Sequence, residues 1–183
     1  MKLETKRLIL RGWRKNDVNG LVDGLNNLEV TKWLASAPYP YTKKDAKNWI
    51  KHCIKNDRKG KGRDCYYFAI ELKSEKKVIG GTSLERINRF QGTSGGGIWI
   101  NARYHGQGYG TEAFGERIRF AFNNLKLRRL ENGYLKGNPS SFKIQKRFGY
   151  KVEGMKKESF KCMADGKIKD EYITGLLKDE WKK

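Results

Sequence analysis

Polar and apolar positions alternate from Leu3 to Trp13, with Leu8 and Leu10 on one face, and this alternation predicts a strand. Asn16 and Asp17 then cap a short helix through about Val22. Residues 27–35 offer a second helical piece, which the two prolines of Ala37–Tyr41 break. Thr42 is a cap for a longer helix in which Ala46, Trp49, Ile50 and Cys53 share one face, and the basic run 58–63 ends it. Two apolar runs, 65–72 and 77–87, flank the polar turn 73–76 and predict an antiparallel hairpin, with 95–101 as a third strand. A helix opening near Tyr109 carries Ala113, Ile118, Ala121 and Phe122 on or near one face. It is followed by a strand over 128–137, a short helix over 139–148, and two strands, 150–163 and 168–177, joined by the turn 164–167. The expected fold class is α/β (α+β): one mixed, mostly antiparallel sheet flanked by helices, a single domain over 1–183 without linker or repeat.

Composition narrows this only in places. A hydrophobic share of 37% with 12% aromatics is too apolar for a disordered chain, although 33% of residues are charged. No apolar run approaches the length of a bilayer span, and the charged start "KLETKRLILR" lacks a signal-peptide core, so a cytoplasmic protein without membrane association is expected. Cys53, Cys65 and Cys162 are odd in number and lack CxxC spacing, which points to reduced thiols and to neither a zinc site nor a disulfide framework. The net charge of +20 favours anionic partners and discourages polycationic ones. A lysine-rich solvated surface accounts for the same number.

The chemistry concentrates in "HGQGYGTEAF", residues 105–114. A strand, a glycine-rich loop and a helix start form a phosphate-binding arrangement, because the first helical amides lack internal partners and carry the positive end of the dipole. Gly106, Gly108 and Gly110 leave room for those amides, and Gln107 and Thr111 add side-chain donors. The dinucleotide fingerprint GxGxxG fails, because Thr111 stands where its last glycine belongs, and no GK[ST] follows for a Walker loop.

"WINARYHGQGYGTEAF" instead resembles the pyrophosphate loop of the GNAT superfamily of acyl-CoA-dependent N-acetyltransferases, in its RimJ/RimL-type branch. "LETKRLILRGWRKNDV", "GNPSSFKIQKRFGY" and the closing "EGMKKESFKCMADGKIKDEYITGLLKDEW" resemble further segments of that branch in the same order, over nearly the whole chain. The resemblance implies the GNAT fold and acetyl-CoA as co-substrate, with no metal. Its pyrophosphate would meet the loop from His105 through Gly106, Gln107, Gly108, Tyr109 and Gly110 to Thr111. The pantetheine would lie along Trp99, Ile100 and Asn101, on a strand splayed from its neighbour. His105 occupies the position where the superfamily usually has Gln or Arg, and is expected to position backbone rather than to carry protons. Asn138 and Ser141 align with the family's Asn-x-x-Ser, in which the asparagine contacts the cofactor and the serine hydroxyl lies near the sulfur. Ser141 is thereby the candidate to protonate the leaving thiolate, and a first-turn helix serine is its alternative role. Arg147 falls where the branch often has Lys, and the resemblance implies that its charge meets the cofactor's phosphate end; Lys143 and Lys146 either do the same or are solvated.

The general base is the gap in the pattern: many relatives carry Glu at the position aligned with Gly95, and Glu85 and Glu131 are the substitutes. A weak base suffices for an α-amine, whose deprotonation at pH 7 costs roughly 1 kcal/mol against about 4.6 kcal/mol for a lysine. The branch resemblance and this arithmetic both favour a protein N-terminus as acceptor, a ribosomal protein included, with association to ribosome or RNA through the basic surface. Trp33, Tyr39 and Tyr41 lie where the superfamily shapes its acceptor site, and either line that site or form a hydrophobic cluster under the loop, the role that suits Trp33 better. Two other readings stay open. One is acetylation of a small amine (a polyamine, amino acid or antibiotic) helped by local acids such as Glu29, Asp45 or Asp170. The other is a non-catalytic acyl-CoA- or RNA-binding protein. The oligomeric state, monomer or homodimer, is open as well.

Overall fold

The computed structural model describes residues 1–57 and 60–182. The alternating start forms two strands rather than one: β1 (Lys2–Glu4) and β2 (Leu8–Gly12) pair antiparallel, Leu3 opposite Leu10, because the chain reverses at Thr5 with its amide bonded to Leu8 O at 3.0 Å. Helices α1 (Val18–Leu25), α2 (Leu28–Thr31) and α3 (Lys43–Asp57) follow. Thr42 and Asp45 cap α3 reciprocally: Thr42 N donates to Asp45 Oδ2 at 2.8 Å and Asp45 N to Thr42 Oγ1 at 3.3 Å. Of the basic run that was to end this helix, residues 58 and 59 lie outside the described residues.

Strands β3 (Tyr66–Leu72) and β4 (Lys77–Asn88) make the expected hairpin. The expected single strand over 95–101 is two: β5 (Thr93–Gly95) and β6 (Ile98–Ile100). The break sits at Gly96, whose φ of 146° suits no side chain and whose Cβ, were there one, would lie 2.1 Å from Ser83 O. Helix α4 (Tyr109–Arg119) runs on through a π-helical turn, Phe120–Asn124. Strand β7 (Arg129–Leu135), helix α5 (Pro139–Arg147) and strands β8 (Lys151–Lys161) and β9 (Ile168–Leu177) complete the chain.

The sheet order is β1-β2-β3-β4-β5-β7-β9-β8, with β6 paired to β4 alone and β5 to β7 the parallel contact. Its two faces carry two cores. Phe114, Ile118 and Phe122 of the central helix pack on Leu8, Leu10, Ile70 and Leu84, while α1 and α3 bury Leu21, Leu25, Ala46 and Ile50 against Trp13 and Ala69. The helix expected over 27–35 stops at Thr31 because residues 32–35 dock on the β8–β9 hairpin tip. There Met163 N donates to Ala35 O at 3.3 Å and Lys169 Nζ to Lys32 O at 2.5 Å. Loop and hairpin tip, far apart in sequence, thus close one end of the α1-side face.

Candidate functional site

Gly106 and Gly108 adopt left-handed backbone, φ 76° and 81°, and Gly108 is the N-cap of α4 without any side-chain cap. The first intrahelical bond is Glu112 N to Gly108 O at 3.0 Å, so the amides of Tyr109, Gly110 and Thr111 precede the helical ladder. Open space surrounds the position of a Cβ at Gly106, and at Gly108 only Arg7 Nη2 lies near, at 3.4 Å. Arg7 is a residue sequence reasoning passed over. Its Nη1 donates to Gln107 O at 2.9 Å, its Nε to Glu112 Oε2 at 2.6 Å, and its guanidinium lies 4.3 Å over the Tyr109 ring. Glu112, the acid of the loop motif, also accepts from Thr5 Oγ1 and from Arg7 N, and so ties the helix start to the β1–β2 turn. Burial raises the Glu112 carboxyl pKa, but the bonds from Thr5 and Arg7 outweigh it and hold it below the usual range.

Before the loop, the sheet parts. β5 meets β7 only at Thr93–Arg129 and Ser94–Leu130, and β6 has no partner on that side. Ser83 N donates to Gly97 O at 3.0 Å and Asn101 N to Ile79 O at 2.8 Å. By antiparallel alternation, Trp99 turns its backbone to β4, while Ile98 and Ile100 turn theirs to the gap. The Ile100 carbonyl is already engaged by His105 Nε2 at 2.8 Å. The Trp99 indole points into the α1-side core, against Gly24 and Gly81, and the Asn101 side chain is held by Asp23 Oδ2 at 2.8 Å and Arg103 N at 3.1 Å. Of the three residues assigned to the pantetheine strand, Ile100 is the one facing the gap. A separate cleft of about 340 Å³ lies between the end of α1 and the segment that follows β6, lined by Val22, Asp23, Asn26, Asn27, Asn101 and Arg103.

Gly95 lies directly opposite Glu85. No carboxylate fits at position 95: a Cβ there would meet Arg86 Nη2 at 2.5 Å and Glu131 O at 2.8 Å. Alternation from the buried Leu84 and Leu130 puts Glu85 and Glu131 on the α1-side face. Glu85 Oε1 accepts from Ser83 Oγ at 2.7 Å, and that oxygen accepts from Gly97 N at 3.2 Å, which links this acid to the strand break. Glu131 is exposed and paired with Arg129 at 3.0 Å. A third acid, Glu171, was not singled out from sequence. It lies over Gly133 on the same face, where only a glycine leaves room for it, and accepts from Ser159 Oγ at 3.0 Å. The signal was the pairing of a glycine in one strand with an acid in the next, which needs the register to be seen.

Asn138 caps α5, its Oδ1 accepting from Ser141 N at 3.1 Å. Ser141 Oγ accepts from Gln145 Nε2 at 3.2 Å, which leaves its own proton to donate, and Gln145 anchors the helix to Gly133 O on β7 at 3.2 Å. Lys143, Lys146 and Arg147 are exposed on this helix. Trp33 lies over Gly137 with Lys32 and Lys169 against its ring, and Tyr39 is 44% exposed. Tyr41 is buried in the second core, which pushes its hydroxyl up to about 12, so it presents no surface to an acceptor. Among the described residues no group of three or more His, Cys, Asp or Glu is placed to hold a metal, and no helix is long and apolar enough to cross a membrane.

A family model described as an acetyltransferase (GNAT) domain matches residues 7–151. An N-acetyltransferase of Bacillus licheniformis, p20, itself called uncharacterised, is 28% identical over 98% of this chain and 97% of its own. The fold matches that of a ribosomal-protein-S5-alanine acetyltransferase from Vibrio fischeri, with a TM-score of 0.79, 22% identity and all of both chains covered. It equally matches a spermidine N-acetyltransferase from Vibrio cholerae, solved with CoA and spermine, with a TM-score of 0.79, 19% identity, and 96% of this chain and 98% of that one covered.

Proposed function

The chain belongs to the GNAT acetyltransferase family, and from that premise we propose that this N-acetyltransferase moves an acetyl group from acetyl-CoA to the N-terminal α-amine of a protein. The observation that carries the cofactor assignment is the uncapped start of α4, where three amides converge behind glycines with no Cβ in the way and Arg7 adds charge. Acetyl-CoA supplies an activated acyl thioester, and a neutral amine attacks it directly. Gap-facing amides of β6 support the carbonyl as negative charge develops. Glu85, backed by Ser83, takes the amine proton, and the free O–H of Ser141 supplies one to the departing sulfur.

The acceptor assignment rests on the weak basicity demanded of the site. Glu85 and Glu171 each accept from a hydroxyl, and Glu131 is spent on Arg129. A carboxylate so placed serves an amine that is partly neutral at pH 7 better than one of pKa about 10. The net charge of +20 also opposes the approach of a polyamine. The test is titration calorimetry with acetyl-CoA on the wild type and on Gly108→Glu, which brings bulk and negative charge to the left-handed N-cap. Binding should be clear in the wild type and lost in the variant. Wild-type protein that fails to bind sub-millimolar acetyl-CoA overturns the assignment. An acceptor screen then sets acidic N-terminal peptides against spermidine, and preference for spermidine refutes the α-amine reading.

A further inference from the structure

Among the described residues, one cation is wholly inaccessible and forms no ion pair. Arg117, in the third turn of α4, is 0% exposed, and no carboxylate among the described residues pairs with it. Burying a charge without a partner of opposite sign is costly unless hydrogen bonds compensate it. Its partners show what the charge is used for. Nη1 donates to Ser83 O on β4 at 3.1 Å and reaches Gly97 O, at the β5–β6 break, at 3.4 Å. With the Asn132 amide turned to satisfy both its ends, Nη2 donates to its oxygen at 3.0 Å while its nitrogen donates to Glu131 O at 3.0 Å. The guanidinium rests on the Phe114 ring at 4.3 Å, and the buried Tyr150 hydroxyl beside it favours the charged form, although neither that hydroxyl nor the arginine Nε makes a hydrogen bond of good geometry.

These contacts straddle the parting of the sheet. β5 and β7 last pair at Ser94–Leu130, so Gly97 and Asn132 stand on opposite sides of the gap just beyond that point. We infer that Arg117 is a positioning residue: a fork with one tine on each side of the gap, fixing its width for the pantetheine arm of the cofactor. The inference rests on the cofactor reading above. A planar guanidinium spans two acceptors at once, whereas an ammonium is a single point. Lysine would therefore keep the charge and lose the span.

The experiment separates the arm from the nucleotide. Affinities for CoA and for 3′,5′-ADP, which lacks the pantetheine, are measured by calorimetry on the wild type, Arg117→Met and Arg117→Lys, with Tm recorded for each. Arg117→Met should stay folded and keep its 3′,5′-ADP affinity but bind CoA about tenfold more weakly. Arg117→Lys should not restore it. Should Arg117→Met fail to fold, Asn132→Ala, which removes the far anchor and leaves the arginine, should show the same selective loss. Unchanged CoA affinity, recovery by lysine, or equal loss of both ligands overturns the inference. Wild-type protein that binds neither ligand defeats the cofactor reading instead.

Discussion

Glu112→Gln isolates the carboxylate that ties the glycine loop to the start of the chain. The native side chain accepts three bonds, from Thr5 Oγ1 at 2.6 Å, Arg7 N at 2.8 Å and Arg7 Nε at 2.6 Å. Glutamine keeps one acceptor oxygen and turns a donor toward the guanidinium. A hydrogen bond to a charged group contributes about 1.5–3 kcal/mol, and the 40% exposure of the Arg7 side chain discounts this to about 1–2 kcal/mol. For a chain of this size that is a Tm lower by about 2–8 °C. The carboxyl is held below its unfolded value, so its contribution is complete above a pH of about 4.3 and disappears as pH falls through the folded value. Thermal unfolding followed by circular dichroism should show the gap between wild type and variant at pH 7 and its progressive narrowing as pH falls below about 4.3. A variant as stable as wild type at pH 7, or a gap that does not narrow in acid, refutes the reasoning.

Gly96→Ala should cost about 2–3 kcal/mol in urea unfolding, since a side chain at φ 146° is strained and its Cβ would sit 2.1 Å from Ser83 O. Stability equal to wild type would show that the strand break is not built on that contact. Tyr41, pushed up to about 12 mainly by burial, ionises first in the unfolded chain, near 10, so stability falls as pH rises between those values. Tyr41→Phe should lose less stability than wild type between pH 8 and 11 in urea titrations, and parallel losses would contradict the assignment.

Local patterning located most elements. The final strand, 168–177, has the bounds its alternation predicts, and α5 begins at Pro139 where helix-start chemistry puts it. The glycine loop was legible for the same reason, since its demands are met within ten residues. What depended on distant partners was not. The reversal at Thr5, the end of α2 at Thr31 and the split of 95–101 are each fixed by contacts from elsewhere in the fold. Arg117 had a faint signal: it stands four residues after Ala113 and four before Ala121, both on the predicted buried stripe, so periodicity alone turned it inward. Its lack of an acidic partner needed the structure. Only the register showed Glu85 opposite Gly95 and Arg86 filling the space beside it.

The shortness of β6 matters beyond the site. A sheet that parts in its middle exposes an edge, and exposed edges invite other chains to add a strand and seed aggregation. This one is three residues long, stopped at one end by the break at Gly96 and at the other by the His105 ring on the Ile100 carbonyl. An added protein strand typically pairs over five or six residues and would run into both stops. On its β6 side the opening therefore offers hydrogen bonds to a small ligand while giving a misfolded neighbour nothing long enough to grow on.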